Sequence, residues 1–297
     1  MARHYRAEFI CIILNTSQPR GIFTPFWDKP MQLFDGKAHA LKLEKKITGF
    51  LEMSPPKKEL AIIMVGENPA SQKYVNLKKN LCEKLGVPVR VYKISADLED
   101  QKIFDEIAET FASPQVGGGI IQLPLPRESL NKALELIPEE KDIDRISPKS
   151  QEKFYSGDFS KLPPTVRAFD YFLTNSNIDP NNLDTIIVGQ GFLVGRPLGH
   201  YLAQRGTKAQ FILDYKTNQP LNCHLLVLSA GSPELVRGES ILKRCHVVDF
   251  GSSVKNGNTI GDLDLKSRIG HLGIVSPSPG GMGPLVTRFL LMNFLGI

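Results

Sequence analysis

Residues 60–86, LAIIMVGENPASQKYVNLKKNLCEKLG, decide the fold class of this chain. The first six residues are apolar without a break, which is typical of a buried strand. Residues 71–85 have the 3.6-residue period of an amphipathic helix, and Gly86 is placed to end it. A strand followed directly by a helix is the repeating unit of parallel α/β sheets. We therefore expect the same alternation on both sides of this stretch.

Apolar runs and helical periods do alternate along the rest of the chain. In the first half we expect helices at 36–53, 100–112 and 129–137 and strands at 87–94 and 119–123. An irregular, proline-containing connection is expected at 151–165. In the second half we expect strands at 185–188, 209–213, 224–230 and 246–250, a helix at 195–205, a loop at 276–284 and an apolar helix from Leu285. The predicted fold class is α/β, with two α/β domains flanking a cleft.

Composition argues against several classes of protein. The 297 residues suggest two domains, and the net charge of +5 comes without a dense Lys/Arg run, so we expect no nucleic-acid partner. No apolar run reaches the ~18–20 residues of a membrane span, so no membrane partner is expected. Four scattered cysteines and six histidines form no metal-ligand pattern, which predicts no metal and fits a reducing cytoplasm. Residues 1–30 are expected to be a disordered leader, unless Met31 is the true start.

One lysine breaks the pattern of the helix at 71–85. On a helical wheel Lys78 falls in the middle of the apolar face, one turn after Tyr74. That face is formed by Tyr74, Val75, Leu77, Leu81, Cys82 and Leu85. Either Lys78 lays its methylenes along the core edge and keeps its ammonium in water, or its amine is partly buried. A buried amine has a lowered pKa and can act as a general base.

Two further polar positions occupy places where α/β sheets bind ligands. Gln122 stands at the carboxyl end of the apolar strand 119–123, just before a proline-rich turn. Its amide either bonds the backbone or faces a ligand. Asp142 and Asp144 lie in a loop after a helix, where a charged run is usually a solvated surface. The sequence leaves both alternatives open.

The stretch VGQGFLVGRPL, residues 188–198, places Gly189, Gly191 and Gly195 between a strand and a helix. Glycines allow a pyrophosphate to approach the backbone, and the helix N-terminus supplies N–H groups and a positive dipole. The spacing is one residue longer than the usual dinucleotide fingerprint. Because it follows a strand in an alternating unit, it predicts that the second domain is a Rossmann-like dinucleotide-binding domain.

Several motifs, in the same order, resemble the bifunctional methylenetetrahydrofolate dehydrogenase/cyclohydrolase family over residues 32–297. They are Asp35-Gly36-Lys37-Ala38, Val65-Gly66-Glu67-Asn68-Pro69-Ala70-Ser71 with Tyr74-x-x-x-Lys78, Gln122-Leu123-Pro124-Leu125-Pro126, Lys141-Asp142-Ile143-Asp144, Val194-Gly195-Arg196-Pro197, Gly261-Asp262 and Pro277-Ser278-Pro279-Gly280-Gly281-Met282-Gly283-Pro284. The resemblance implies oxidation of 5,10-methylenetetrahydrofolate to 5,10-methenyltetrahydrofolate with NAD(P)⁺, followed by hydrolysis to 10-formyltetrahydrofolate, in one-carbon metabolism. It also implies a cytoplasmic homodimer.

The resemblance further implies a division of the chain and a set of site residues. A folate-binding catalytic domain would span 31–165, completed by the C-terminal helix 284–297, and an NAD(P)-binding Rossmann-like domain would span 166–283. Lys78 would be the catalytic lysine, tuned by Gln122, with Tyr74 packed on the pterin and Asp144 on its amino-pyrimidine edge. The remaining implied residues are Pro279, Gly280 and Gly281 at the folate, and Gly189, Gln190, Gly191, Val194 and Gly195 at the cofactor.

The nucleotide-binding loop departs from the family pattern. Gln190-Gly191 stands where members commonly have Arg-Ser, and that arginine normally helps to hold the extra phosphate of NADP. Asp214 closes the strand 209–213, where a carboxylate accepts hydrogen bonds from the ribose of NAD and repels a 2′-phosphate. We therefore expect NADP or NAD as cofactor, with a preference for NAD unless Lys216 or Arg196 supplies a substitute charge.

Three other departures fall near the expected folate site. Arg145 replaces a glycine, Val166 belongs to an altered Pro-Cys-Thr-Pro pattern, and Val286 replaces a threonine. If the backbone at Arg145 has a positive φ, arginine raises the conformational energy of the folded chain there. Otherwise its charge could pair with the glutamate of the folate.

Three alternative functions remain open. A dehydrogenase without cyclohydrolase activity is disfavoured by the presence of Lys78, Tyr74 and Gln122. A non-catalytic folate- or nucleotide-binding protein is supported only by the changes at 145 and 190–191. A two-domain dehydrogenase acting on an amino acid or a shikimate-like substrate does not account for the QLPLP and PGGMGP segments.

Overall fold

The structure, a computed structural model, describes residues 30–255 and 257–297. The predicted leader and the question of the start residue concern residues 1–29, which lie outside the described residues. The described residues form two larger parallel sheets, each packed against helices, and two two-stranded sheets, one of them a parallel pair of Val236–Arg237 with Leu263–Asp264. The predicted α/β fold is confirmed.

The first unit is built around a three-stranded parallel sheet in the order β3-β2-β4. The chain begins with a two-residue strand, β1 (Gln32–Leu33), that belongs to the other sheet. The first unit then follows as α1 (Gly36–Met53), β2 (Glu59–Val65), α2 (Pro69–Leu85), β3 (Val89–Ile94), α3 (Asp100–Ala112), β4 (Val116–Ile121) and α4 (Pro148–Tyr155).

Strand β2 is buried on both faces, as its unbroken apolar run predicted. Residues 60–64 are at most 1% exposed. Side chains alternate along a strand, so Ile62 packs in the cluster that contains Ile47 of α1 and Val75 of α2, whereas Ile63 packs with Ile103 of α3. Helices therefore cover both faces of this sheet, which is the usual arrangement for parallel strands.

The second unit contains a six-stranded parallel sheet in the order β1-β13-β9-β7-β5-β6, together with a β10–β11 hairpin. Its elements are α5 (Pro164–Asn175), β5 (Thr185–Val188), α6 (Gly195–Gln204), β6 (Ala209–Ile212), β7 (Leu225–Leu228), β8 (Val236–Arg237), β9 (His246–Asp249), β10 (Ser253–Lys255), β11 (Asn258–Ile260), β12 (Leu263–Asp264), β13 (Ile274–Ser276) and α7 (Met282–Leu295). Strand order reverses at β5, between β6 and β7, and doubly wound sheets bind ligands at the carboxyl ends of the strands at such a point. The loops after β5 and β7 meet there.

The two units share helices and strands. Strand β1 pairs in parallel with β13 of the second sheet, and helix α7 packs against α1 and α5. Buried side chains of both units form one continuous cluster. The division into domains at 31–165 with 284–297 and at 166–283 stays a prediction.

The structure corrects three predictions about elements. The segment 151–165 is not an irregular connection, because α4 covers its first part and α5 begins at Pro164. Ser147 caps α4, Pro148 occupies its first turn, and Phe154 is 1% exposed, so a short polar segment becomes a helix through capping and one buried aromatic. The predicted helix 129–137 is 3₁₀-helical over Glu128–Leu136. Helix α7 begins at Met282 rather than Leu285, since proline fits the first turn of a helix.

Candidate active site

Helix α2 places Lys78 in the centre of its buried stripe. The helix starts where the Asn68 side chain accepts a hydrogen bond from Ser71 N, and it ends at Gly86 with φ +72°. Val75 and Cys82 are buried on either side of Lys78. Leu77, which the wheel placed on the apolar face, is 50% exposed. That placement was wrong because Leu77 lies about 100° around the helix from Lys78, at the edge of the stripe.

The amine of Lys78 meets an amide and a carboxyl group inside a cavity of about 120 Å³ between the two units. Lys78 Nζ donates to Gln122 Oε1 at 2.8 Å, and Gln122 Nε2 donates to Leu123 O at 2.7 Å, which fixes the orientation of the amide. Asp144 lines the same cavity. The side chain of Lys78 therefore ends in the cavity wall and not in bulk water, which favours the partly buried amine.

Burial and mutual attraction set the protonation of this group. Burial lowers the pKa of Lys78, and the charge of Asp144 opposes that change. Burial raises the pKa of Asp144 to about 6, with Lys78 lowering it and Asp142 raising it further. A buried amine with a lowered pKa beside a carboxyl group with a raised pKa is typical of sites that transfer protons.

Asp142, the other carboxylate of the motif, holds the loop that contains Asp144. Asp142 is 3% exposed, and its two oxygens accept from Ile146 N at 3.2 Å and Ser147 N at 2.8 Å. The two aspartates thus differ in surroundings: Asp142 fixes the backbone, and Asp144 faces the cavity. The motif is not a solvated charge run.

Arg145 follows Asp144 with φ +60°, and it is 4% exposed. The backbone here therefore has the left-handed conformation that favours glycine, and an arginine in it costs about 1–2 kcal/mol. Its Nη1 donates to Glu139 O at 3.3 Å. Of the other departures, Val166 is fully buried in α5, whereas Val286 lines the cavity with Lys78. Arg145 and Val286 therefore both form part of the cavity wall.

The loop after β5 folds tightly against the first turn of α6. Gly189 has φ +93° and lies against Ser229, and a Cβ on Gly195 would come within 2.3 Å of Gly189 O. Gly191 and Val194 line a cavity of about 740 Å³ that the Leu123–Pro124 turn closes on the other side. The tight glycines and the start of α6 fit a pyrophosphate, so these residues suit a dinucleotide.

The charged residues near this loop have partners in the chain. Asp214 follows β6, is largely exposed, and accepts from Lys216 Nζ at 2.6 Å. Arg196 Nε donates to Gln190 O at 3.2 Å. Asp214 therefore stands at the carboxyl end of the strand next to β5, as the sequence predicted. Lys216, one of the two residues that could supply a substitute positive charge, forms an ion pair with it.

The loop between β13 and α7 packs on the start of α1. A Cβ on Gly36 would lie 1.8 Å from Gly281 O, so only glycine fits where the two backbones meet. Ser278 Oγ donates to Gly251 O at 2.5 Å, and Gly280 has φ +104°. Among the described residues, the 120 Å³ cavity is lined by Val286, Thr287 and Leu290 of α7 but not by Tyr74, Pro279, Gly280 or Gly281.

Two buried carboxyl groups of the second unit were not assigned a role from sequence. Burial raises the pKa of Asp249 to about 7, and the group accepts from Gly251 N and Leu263 N. Asp262 accepts from the backbone N–H groups of 230, 231 and 232, which follow β7. The position of Asp249 at the carboxyl end of β9 was a signal that could have found it.

Two side-chain contacts join α2 to the β10–β11 hairpin. Tyr74 OH shares a hydrogen bond with Ser252 Oγ, and Lys73 Nζ donates to Thr259 Oγ1 at 2.7 Å. Ser252 and Thr259 lie in a segment without a motif, so nothing in the sequence predicts either contact. Within residues 30–255 and 257–297, no group of three or more His, Cys, Asp or Glu side chains could hold a metal ion, and no helix is long and apolar enough to cross a membrane.

Known proteins similar to this chain cover both units. Residues 34–144 match the family model for the tetrahydrofolate dehydrogenase/cyclohydrolase catalytic domain, and residues 163–297 match that for its NAD(P)-binding domain. The bifunctional protein FolD of Aquifex aeolicus is 31% identical over 274 residues, which cover 89% of this chain and 94% of that protein. FolD of Moorella thermoacetica is 30% identical, with 89% and 97% covered.

Solved structures give the same result. The bifunctional FolD methylenetetrahydrofolate dehydrogenase/cyclohydrolase of Campylobacter jejuni has a TM-score of 0.80 at 30% identity, covering 90% of this chain and 98% of that chain. The Trypanosoma brucei enzyme, solved with NADP cofactor and inhibitor, shares the fold with a TM-score of 0.82 at 23% identity, covering 90% and 97%. The resemblance inferred from the motifs is confirmed. The chain belongs to the tetrahydrofolate dehydrogenase/cyclohydrolase family.

Proposed function

We propose that this protein oxidises 5,10-methylenetetrahydrofolate with NAD(P)⁺ and hydrolyses the resulting 5,10-methenyltetrahydrofolate to 10-formyltetrahydrofolate. The main support is the hydrogen bond between Lys78 and Gln122 in a cavity that also contains Asp144 and lies between the units. The family models for the catalytic domain and for the NAD(P)-binding domain both match this chain, as a reaction between folate and a dinucleotide requires.

The oxidation depends mainly on positioning. Loss of hydride from the methylene carbon leaves a cation that two flanking nitrogens stabilise, and the dinucleotide supplies the hydride acceptor. The chain holds the reactants together: the loop with Gly189, Gln190, Gly191, Val194 and Gly195 faces one cavity, and Lys78 lines the neighbouring cavity. In this proposal Asp144, Tyr74 and the loop with Pro279, Gly280 and Gly281 bind the folate.

The hydrolysis requires a base. Water adds to the methenyl carbon and loses one proton, the carbon–nitrogen bond to N5 then breaks, and the remaining hydroxyl proton ends on the departing N5. In the proposal Lys78 accepts the first of these protons, because burial lowers its pKa and Gln122 holds its amine. Gln122 does not take up a proton and serves to position the amine.

One coupled assay tests the function. Purified protein is mixed with 5,10-methylenetetrahydrofolate and NAD⁺ or NADP⁺, and the absorbance of the reduced cofactor and of the methenyl product is followed. We expect reduced cofactor to form and the methenyl absorbance to decay faster than in buffer. Reduced cofactor with a stable methenyl product would indicate a dehydrogenase without cyclohydrolase activity. No change in either signal would favour a binding protein.

Cofactor preference depends on Asp214 in this proposal. We expect a higher kcat/KM with NAD⁺ than with NADP⁺, because an exposed carboxylate beside the ribose repels a 2′-phosphate. Asp214→Ala is expected to raise the NADP⁺/NAD⁺ ratio of kcat/KM by about two- to fivefold, the range of exposed charge interactions. Asp184→Ala, an exposed aspartate before β5, is the control. A tenfold preference of the unaltered protein for NADP⁺ would refute the proposal.

The pH dependence of hydrolysis tests the base. We expect kcat to rise with pH and to level off below 10.5, the ordinary pKa of lysine, because burial lowers the pKa of Lys78 and the neutral amine is the active form. The charge of Asp144 raises that pKa, so Asp144→Asn should move the rising limb to lower pH. The profile is measured at saturating methenyltetrahydrofolate. A limb that stays in place or moves to higher pH contradicts this assignment.

A cytoplasmic homodimer, joined through the second unit, completes the proposal. Its support is the similarity to the family. Sedimentation equilibrium should give twice the chain mass of 33.0 kDa. A single-chain mass at micromolar concentration would speak against the dimer.

A further inference from the structure

We propose that Ser252 is a positioning residue that holds the ring of Tyr74 against the pterin of the substrate. This inference rests on the proposed function, and it names a residue that no motif includes. The supporting observation is the hydrogen bond between Tyr74 OH and Ser252 Oγ, which joins a helix of the first unit to a turn of the second.

Tyr74 precedes Lys78 by one turn of α2, so its ring lies on the same side of the helix as the proposed base. Its ring is half-buried, and its hydroxyl reaches away from the helix to Ser252. A tyrosine ring presents an apolar face and a polar end. Once the polar end is held, the face has one orientation and is available to stack on a planar heterocycle.

The backbone next to Ser252 is held by two hydrogen bonds. The preceding residue, Gly251, donates its N–H to Asp249 Oδ1 at 2.8 Å and accepts at its carbonyl oxygen from Ser278 Oγ at 2.5 Å. Asp249 is 1% exposed, and Ser278 belongs to the loop before α7. The turn at Ser252 therefore connects the proposed folate loop with Tyr74.

A second contact limits the movement of the same two elements. Lys73 Nζ donates to Thr259 Oγ1 at 2.7 Å, on the other strand of the hairpin. The two contacts come from adjacent residues of α2 and reach Ser252, just before β10, and Thr259 in β11, so they hold both sides of the hairpin to the helix. The hairpin thus sets the orientation of the Tyr74 ring before substrate arrives, and such preorganisation improves binding without new contacts.

The experiment compares Ser252→Ala, Tyr74→Phe and the double variant. Each single variant is expected to raise the KM for methylenetetrahydrofolate about three- to tenfold, the effect of one partly exposed hydrogen bond, while kcat and the KM for the dinucleotide stay within twofold. The double variant should match the single variants, because both remove the same interaction. Ser252→Thr keeps the hydroxyl and should restore the KM. Ser156→Ala, an exposed serine at the end of α4, is the control.

Three results would overturn the inference. The first is an unchanged KM in Ser252→Ala, and the second is additive effects of the two changes. The third is a loss of kcat and of thermal stability with KM unaltered, since that pattern belongs to a purely structural residue. Calorimetric titration with tetrahydrofolate gives the same comparison through Kd without turnover. An inactive unaltered protein therefore refutes the proposed function while the Kd values still decide about Ser252.

Discussion

Lys78→Met is expected to lower the kcat for hydrolysis of methenyltetrahydrofolate by about 10²–10⁴-fold, the usual effect of removing a general base. Methionine keeps the length and apolar stem of lysine, so the buried stripe of α2 remains filled while the proton acceptor and the hydrogen bond to Gln122 are lost. Hydride transfer requires no base in the proposed mechanism and should fall much less. Single-turnover rates of both steps, measured on the same preparation, separate the two effects.

The neighbouring residue provides the control. Lys79 lies on the outer face of α2, where its Nζ contacts Glu83 Oε1 at 3.3 Å. Lys79→Met removes the same charge from the same helix but leaves the cavity intact, so both activities should stay within twofold. An equal loss of hydrolysis and hydride transfer in Lys78→Met would show that the lysine serves binding or folding and not proton transfer.

Gly36→Ala is expected to lower the free energy of unfolding by about 1–3 kcal/mol and to raise the KM for the folate. The added Cβ would stand 1.8 Å from Gly281 O and 2.7 Å from Gly280 O, so α1 and the loop before α7 must separate. Backbone atoms cannot rotate away as a side chain can. Urea denaturation gives the change in stability, and steady-state kinetics gives the KM.

A second glycine of the same helix is the matched control. Nothing lies within 4 Å of a Cβ placed on Gly49. Gly49→Ala should therefore stabilise the protein by about 0.5–1 kcal/mol, because alanine has the higher helix propensity. If Gly36→Ala unfolds at the same urea concentration as the unaltered protein, the close approach of Gly36 to the loop is not a constraint.

Local patterns predicted the elements that depend on neighbours in sequence. The apolar run of β2 and the helical period of α2 can both be read from a few neighbouring residues, so the sequence predicted both elements. The same helical period showed that Lys78 stands on the apolar face of α2. The glycine loop after β5 was recognisable because its backbone geometry requires glycine at fixed spacing. The exposure of Leu77 follows from its place at the edge of the apolar stripe, about 100° from Lys78, which the helical period already gave.

Contacts between distant segments were out of reach of these patterns. Ser252 meets Tyr74 across 178 positions of sequence, and no periodicity records such a pair. Helix α4 was missed for a different reason: its polar sequence has one buried aromatic, Phe154, and depends on a serine cap. The motifs identified the site, while the tertiary structure determined which surrounding residues support it.

The exchange of end segments between the two sheets affects how the molecule can be taken apart. Strand β1 completes the sheet of the second unit, and helix α7 returns to pack on α1. A scission between α4 and α5 would leave one fragment without a covering helix and the other without an edge strand. Each half therefore depends on a segment supplied by the other half. Neither half is expected to fold alone or to function when transplanted into another protein.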